Sequence, residues 1–335
     1  MGIHGHTHAT NWTMAQDHQG DIMLADFGIV ITCFPGDAHF AQASYLSVRQ
    51  FLGPDMPICF IVDGDPQCLG RVLQDPNVQT LTRNDVTDPR LHDTGFGWGF
   101  TKMVGFWHSP FAESLCLDAD ALVWGDVVKS YYTPDYDFII DQQRAYTDEE
   151  IDFWFFSTKK IQNYYPQFDH KSFRDRYACT GTFFMRRGAI SLDDWYETAM
   201  LQKSTQEVFP FGGEMGPLNF LWAYGAQKGT LNIRSVTYQI IPVDHSDAEL
   251  RQYYSPESMK AGCIKPAVLH FCGKKPHIFS CSPKVAVMNH YRRRYLTEVD
   301  GLSALQATLR MCIQDVRFVL APWLKRGVRK IKRMF

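Results

Sequence analysis

Two short, almost wholly apolar runs near the start of the chain, 28–34 (GIVITCF) and 57–65 (PICFIVDGD), each end at Gly, Pro and Asp and give way to helical spacing. After the first, residues 38–52 place Phe40, Ala43, Tyr45, Leu46 and Phe51 along a helix; after the second comes 67–74 (QCLGRVLQ). Continuous apolar strands are buried on both faces, and their alternation with helices predicts a parallel sheet. Further strands are predicted at 78–81, 114–118, 137–140, 181–185, 239–243 and 267–271, and helices at 99–108, 148–156, 191–203 and 214–224. The reading is an α/β fold with a mostly parallel central sheet flanked by helices, less regular after about residue 130. The stretch 298–335 reads as helical, with a break at Pro322.

Composition narrows the class. With 45% hydrophobic residues among 335, the chain can bury a sizeable core, which excludes low-complexity disorder, collagen and a disulfide miniprotein. The formal net charge of -2 hides a split: from Tyr291 to Phe335 eleven Lys and Arg face Glu298, Asp300 and Asp315, so that end carries +8 and residues 1–290 carry -10. No concentrated basic face of the kind nucleic acid requires is evident in the body, and no nucleic-acid partner is expected. Nine cysteines without CxxC pairs, several inside apolar runs, read as reduced thiols. No apolar stretch approaches the roughly 20 residues of a membrane-spanning helix. The N-terminus lacks the pattern of a cleaved signal, which leads to the expectation of a cytoplasmic protein with the Asn11-Trp12-Thr13 sequon unused. His4, His6 and His8 read as a mobile N-terminus or an adventitious metal binder.

The densest candidate chemistry is LCLDADALVWGD, where Asp118 and Asp120 stand two apart at the end of an apolar strand. Extended spacing puts both carboxylates on one side, at the carboxyl edge where open α/β sheets bind ligands. Two adjacent carboxylates are costly without a cation between them, and hard oxygens suit Mg2+ or Mn2+.

These residues resemble the GT-A glycosyltransferases, and several stretches in order resemble glycosyltransferase family 8, the glycogenin and bacterial lipooligosaccharide galactosyltransferase group. VITCFPGDAHF is similar to the family's uridine-binding opening, bringing in Asp37 and His39. FTKMVGFW marks Lys102, and CTGTFFMRRG resembles the strand-and-turn passage that the family writes N-S-G-V. GGEMGPLNFLW is similar to the D-Q-x-x-L-N helix start, marking Glu214 and Asn219. VLHFCGKKPH resembles the late H-F-x-G-x-x-K-P-W element, marking His270, Gly273, Lys275 and Pro276. The resemblance spans roughly residues 27–280. Its departures are Cys179 and Thr180 where the family has Asn-Ser, Glu214 for Asp, a late element one residue shorter, and His277 for Trp.

The resemblance implies a GT-A type nucleotide-sugar-binding fold and a retaining, metal-dependent hexosyl transfer from a UDP-sugar to a glycan or lipid-linked acceptor. It assigns Asp118, Asp120 and His270 to the metal, a set that suits Mn2+ better than Mg2+. Asp37, His39, Asp63, Lys102, Asp118, Asp120, Gly273 and Lys275 fall to the donor, and Glu214 and Asn219 to catalysis. On residues alone His270 also reads as a core histidine, Lys275 as a loop lysine and Glu214 as charge complementarity at a helix N-terminus. His39 or Phe40 is expected to stack on the base, while Asp63 or Asp65 either contacts base or ribose or shapes a turn.

Residues 1–20 are expected to form a flexible N-terminus, 21–290 the catalytic domain and 291–335 a basic amphipathic helical tail. Leu324, Val328, Ile331 and Phe335 form one stripe beside Trp323, with Lys325, Arg326, Arg329, Lys330, Lys332 and Arg333 around it. This pattern suits the surface of an anionic membrane, so 315–335 is expected to hold the protein peripherally at the cytoplasmic face, a partner-binding helix being the alternative. Arg186-Arg187 and Arg292-Arg293-Arg294 read as solvated surface. Two alternative functions are a nucleotidyltransferase, for which CFPGDAH is a poor match to the glycine-rich loop, and a non-catalytic membrane-associated sugar-nucleotide-binding protein.

Overall fold

The β-branched run of the first strand, β1 (Ala25–Cys33), forms the middle of a parallel group with β2 (Ile58–Val62), β3 (Val78–Thr82) and β4 (Phe111–Asp118). This computed structural model describes residues 25–97, 99–142 and 144–316. A two-residue turn after β4 leads to β5 (Ala121–Trp124); β6 (Phe138–Asp141), β7 (Thr182–Arg186) and β8 (Ile233–Val236) follow, then β9 (Gln239–Ile240) and β10 (Ala267–His270). Seven strands make one sheet in the order β3-β2-β1-β4-β7-β6-β8, and β5-β10-β9 make a second. β7 runs antiparallel to β4 and β6, so the residues entering β7 lie at the same edge as those leaving β1, β2 and β4.

Alternate residues of the strands feed two cores. Ile29, Ile31 and Phe60 pack with the helix Ala38–Phe51 and with the second sheet, and Val30, Ile61 and Cys116 pack with Met103, Phe106 and the helix Met215–Lys228. Burial on both faces explains why these strands read as unbroken apolar runs. The second sheet is tied to the first helix by the Val123 N–H, which donates to Ser47 Oγ at 3.0 Å.

The expected elements are present with local differences. The 67–74 helix is a 3-10 segment, Pro66–Gln74, broken where Gly70 turns to φ 61°. The 99–108 helix is a 3-10 stretch, Phe100–Val104, continued by Gly105–His108. The strand expected at 239–243 stops at Ile240, because Pro242 has no N–H to extend a ladder and opens a 3-10 turn. Strands β5 and β8 and the helices Asp247–Tyr253 and Pro283–Arg294 were not anticipated.

The expected boundary at 290/291 falls inside the helix Pro283–Arg294, and the described chain beyond it, to residue 316, packs on the body. Tyr291, Tyr295, Leu296 and Met311 are buried, and after a break at 300–303 a helix runs from 304 to 316. Arg292 is not solvated surface. It forms a two-pronged ion pair with Asp315, Nη2 to Oδ1 at 2.7 Å and Nη1 to Oδ2 at 3.1 Å, with both side chains at most 1% exposed. Asp315 also accepts from the Ile278 N–H at 2.7 Å, and the guanidinium lies over Phe40. Low solvent access makes this pairing mandatory, since either charge alone would be buried without an opposite charge to balance it. Among the described residues no helix is long and apolar enough to cross a membrane. His4, His6, His8 and the basic stretch 317–335 lie outside the described residues.

Replacing Asp315 by Ala leaves Arg292 buried and uncompensated, so unfolding in urea is expected to lose about 3–5 kcal/mol, most of it recovered when Arg292→Met and Asp315→Leu are combined. An unchanged denaturation midpoint in Asp315→Ala would refute the clamp.

Candidate functional site

Six of the predicted residues meet at the carboxyl edge of the parallel strands. Asp118 ends β4, where its N–H donates to the Gly181 carbonyl at 2.9 Å, and Asp120 occupies the turn into β5. His270 ends β10, paired with Ala121 directly after that turn. Lys102 comes from the 3-10 segment Phe100–Val104, and Glu214 stands just before the helix Met215–Lys228. Lys275 reaches Asp120 Oδ2 from the loop after β10.

Lys102 is the hub. Its ammonium, 2% exposed, lies 2.7 Å from Asp118 Oδ1 and 2.9 Å from Glu214 Oε1 and donates to the Thr180 carbonyl at 2.8 Å. An ammonium has three protons, and these three partners take them all. Burial works against its charge, but Asp118 and Glu214 outweigh it and hold the lysine protonated well above its usual range. Burial also opposes ionisation of Glu214, and the neighbouring Lys102 charge reverses this, keeping the carboxyl below its ordinary value. The Thr180 hydroxyl donates to the same Glu214 oxygen at 2.7 Å.

The other carboxylate oxygens converge on the imidazole. His270 Nε2 is 3.7 Å from Asp118 Oδ2 and 3.6 Å from Asp120 Oδ1. Oxygen and nitrogen ligands of one ion, each about 2.1–2.3 Å from it, stand roughly 3.0–3.7 Å apart. The donor set therefore fits a divalent cation in both chemistry and spacing, and its ligand atoms all lie within 4.8 Å of one another. Burial alone would raise Asp120; its bond to His270 and the Lys275 charge hold it well below the usual carboxylate range. Burial would lower His270, yet the Cys179 sulfur and Asp120 push it up to about 10. Nearby, burial pushes the Asp37 carboxyl up to about 7, against the Phe34 N–H that donates to it at 2.9 Å, with Asp120 and Asp118 adding like charge.

Two glycines make room for this arrangement. At Gly181 a Cβ would stand 2.1 Å from the His270 ring. At Gly99, which adopts φ 77°, it would stand 1.9 Å from Glu214 Oε2.

The remaining predicted residues lie around the cluster or apart from it. Asn219 is fully buried and fully used: Oδ1 accepts from the Ala178 N–H at 2.8 Å, and Nδ2 donates to the carbonyls of Ala178 and Met215 at 2.9 and 2.8 Å. It fastens the helix to the segment that carries Cys179 and Thr180. Gly273, at φ 77°, turns the chain between His270 and Lys275. Asp63 accepts from the Gly97 N–H at 2.9 Å and faces Arg83 at 3.5 Å, while Asp65 caps the 3-10 segment through Gln67. His39 lines a separate cavity of about 360 Å³ with Gln42, Cys68, Leu296 and Arg310. Phe40 is wholly buried and so offers no stacking face, contrary to the sequence expectation; Phe34, 52% exposed just beyond β1, is the accessible aromatic there.

Thr180, Cys179, Cys272 and the two glycines were not marked as site residues. The unmatched Cys179-Thr180 pair within CTGTF was the available signal.

No family model matches the sequence, and no curated protein matches it in sequence. Solved structures do match in fold. The apo structure of the WbbM bifunctional glycosyltransferase aligns at TM-score 0.50 and 10% identity, over 87% of this chain and 53% of that one, so the present chain spans about half of WbbM. Galactosyltransferase LgtC, solved with donor and acceptor sugar analogues, aligns at TM-score 0.49 and 15% identity over 82% and 95% of the two chains. Mouse xyloside xylosyltransferase 1 in its apo form aligns at 0.43 and 12%, over 75% and 99%. The protein carries the GT-A type glycosyltransferase fold.

Proposed function

We propose that the protein is a metal-dependent, retaining glycosyltransferase that moves a hexose from a UDP-sugar to a glycan or lipid-linked acceptor. The observation that carries this reading is the convergence of Asp118 Oδ2, Asp120 Oδ1 and His270 Nε2 beside Lys275, at the sheet edge where α/β folds bind ligands. Mn2+, or Mg2+, held by these three residues would supply Lewis-acid stabilisation of the leaving nucleoside diphosphate.

The chain's own side chains divide the remaining work. Lys275 is 36% exposed and anchored on Asp120, so it is the cation available to a phosphate oxygen of the donor. Lys102 has no proton left for a phosphate; it neutralises Asp118 and Glu214 and fixes the Asp118 carboxylate in place. Glu214 and Asn219 act here by positioning, the first through Lys102 and Thr180, the second through Ala178. Asp37 and Phe34 border the same edge and suit the nucleoside, with Asp63 and Gly273 shaping its surroundings. His39 lines the other cavity and has a more distant part.

Support for a membrane-borne acceptor comes from the last described helix. It buries Ala307, Met311 and Asp315 and exposes Leu305, Leu309, Ile313 and Val316, an apolar stripe that directly precedes the cationic stretch in the sequence. We propose that this face and residues 317–335 rest on an anionic lipid surface at the cytoplasmic side.

Turnover of UDP-hexoses, followed as UDP release, is expected to need Mn2+ or Mg2+ and to fall by about 10²–10³ in Asp120→Asn. Equal turnover in EDTA, or in Asp120→Asn, would refute the mechanism. The two lysines should separate: Lys102→Met costs stability, about 3–5 kcal/mol in denaturant, whereas Lys275→Ala, which leaves Asp120 its contact with His270, costs less yet loses donor turnover. The reverse pattern would overturn the division between them. Ending the chain after Val316, which keeps the Arg292–Asp315 clamp, should abolish sedimentation with anionic vesicles and spare UDP release; undiminished vesicle binding would exclude the tail as the anchor.

A further inference from the structure

His270 is used from both sides. Its Nε2 faces the two aspartates, while its Nδ1 lies 3.6 Å from Cys179 Sγ. Cys272, two residues beyond His270, brings a second thiol close to that of Cys179. The two sulfurs and Nδ1 all lie within 4.8 Å of one another. Neither thiol is in a disulfide. Both are partly buried, and a small cavity of about 20 Å³, lined by His270, Cys272, Pro242 and Pro276 among others, has room for about one water.

We propose that Cys179, Cys272 and His270 Nδ1 form a second metal site, selective for a thiophilic divalent ion such as Zn2+, and that its occupation opposes loading of the carboxylate site. The donor set matches the ion: thiolate and imidazole are the ligands that zinc prefers, and the chemistry is distinct from that of the oxygen-rich site next to it. The spacing matches as well. With Zn–S about 2.3 Å and Zn–N about 2.0–2.1 Å, a tetrahedral S–N edge is about 3.5 Å, close to the observed 3.6 Å. The fourth position is left to water or to an incoming ligand. Binding releases to solvent the two thiol protons and the proton on His270 Nδ1, which the raised basicity of the ring otherwise keeps there, and changes no oxidation state.

The opposition between the sites follows from the imidazole. A neutral ring has one lone pair available for a ligand bond and one N–H, so a metal on Nδ1 leaves the proton on Nε2, directed at Asp118 and Asp120. Both nitrogens serve metals together only as an imidazolate. The binding claim stands on its own geometry; the opposition rests on the carboxylate-site reading.

The test uses the full chain with its thiols kept reduced, titrated with Cd2+ alone and followed by thiolate-to-metal absorption in the ultraviolet. One ion per chain is expected, with the band weakened at least tenfold in affinity by Cys179→Ser and by Cys272→Ser and retained in Asp120→Asn. No such band, or one that survives both serine variants together, overturns the site. In a second arm, Mn2+ is followed by its spin-resonance signal while one equivalent of Zn2+ is added. Displacement in the wild type but not in the double serine variant supports opposition; displacement in both, or in neither, overturns it. Failure of Mn2+ to bind at all would refute the carboxylate-site reading while leaving the Cd2+ result intact.

Discussion

A single buried ammonium holds the site together. Lys102 joins Asp118 at the end of β4, Glu214 at the head of the helix Met215–Lys228, and the Thr180 carbonyl on the way into β7, three parts of the chain that are remote in sequence. Without that charge, two carboxylates would sit close together in a poorly solvated setting, where like charges repel strongly. With it, one oxygen of Asp118 is committed and the other is left facing His270. The free oxygen that a cation would use is thus selected by the lysine that takes its neighbour.

The same arrangement separates two kinds of positive charge. Lys102 is sealed and saturated and belongs to the fold, whereas Lys275 keeps part of its surface in water and, among the described residues, is ion-paired with Asp120. Under the proposed function, the donor diphosphate would meet this partly exposed cation. The glycines at 99 and 181 matter for the same geometry, because a methyl group at either would collide with Glu214 or with the His270 ring. The Arg292–Asp315 pair ties the last described helix to the helix Pro283–Arg294, with the guanidinium over Phe40 of the first helix and Asp315 held by the Ile278 N–H.

Much of this was legible in the residues. The apolar runs at 28–34 and 57–65 announced parallel strands because those strands are covered on both faces, and Asp118 with Asp120 marked the place where the polar cluster gathers because they follow such a strand. His270 and Lys275 were marked by the resemblance of VLHFCGKKPH to a late family element that follows the others in order. Other features left no local trace. The contact of Lys102 with Glu214 crosses 112 positions of sequence and has no periodicity, and Asn219 looks the same whether it touches a ligand or clasps a backbone. Arg292 sits in a run of three arginines that reads as surface, and only the fold reveals that one of them turns inward to Asp315. Strand β5 escaped notice because it follows β4 after two residues, so that one apolar stretch conceals a change of sheet.

Asp118, Asp120 and His270 are proposed to hold the divalent ion that binds the donor diphosphate. A crystal structure of the protein with Mn2+ and UDP, using the anomalous signal of manganese to place the ion, decides this. One manganese bonded to Asp118 Oδ2, Asp120 Oδ1 and His270 Nε2 is expected, with diphosphate oxygens completing its shell and Lys275 turned toward the phosphates. UDP bound without manganese at these three atoms, or manganese found elsewhere in the molecule, would contradict it.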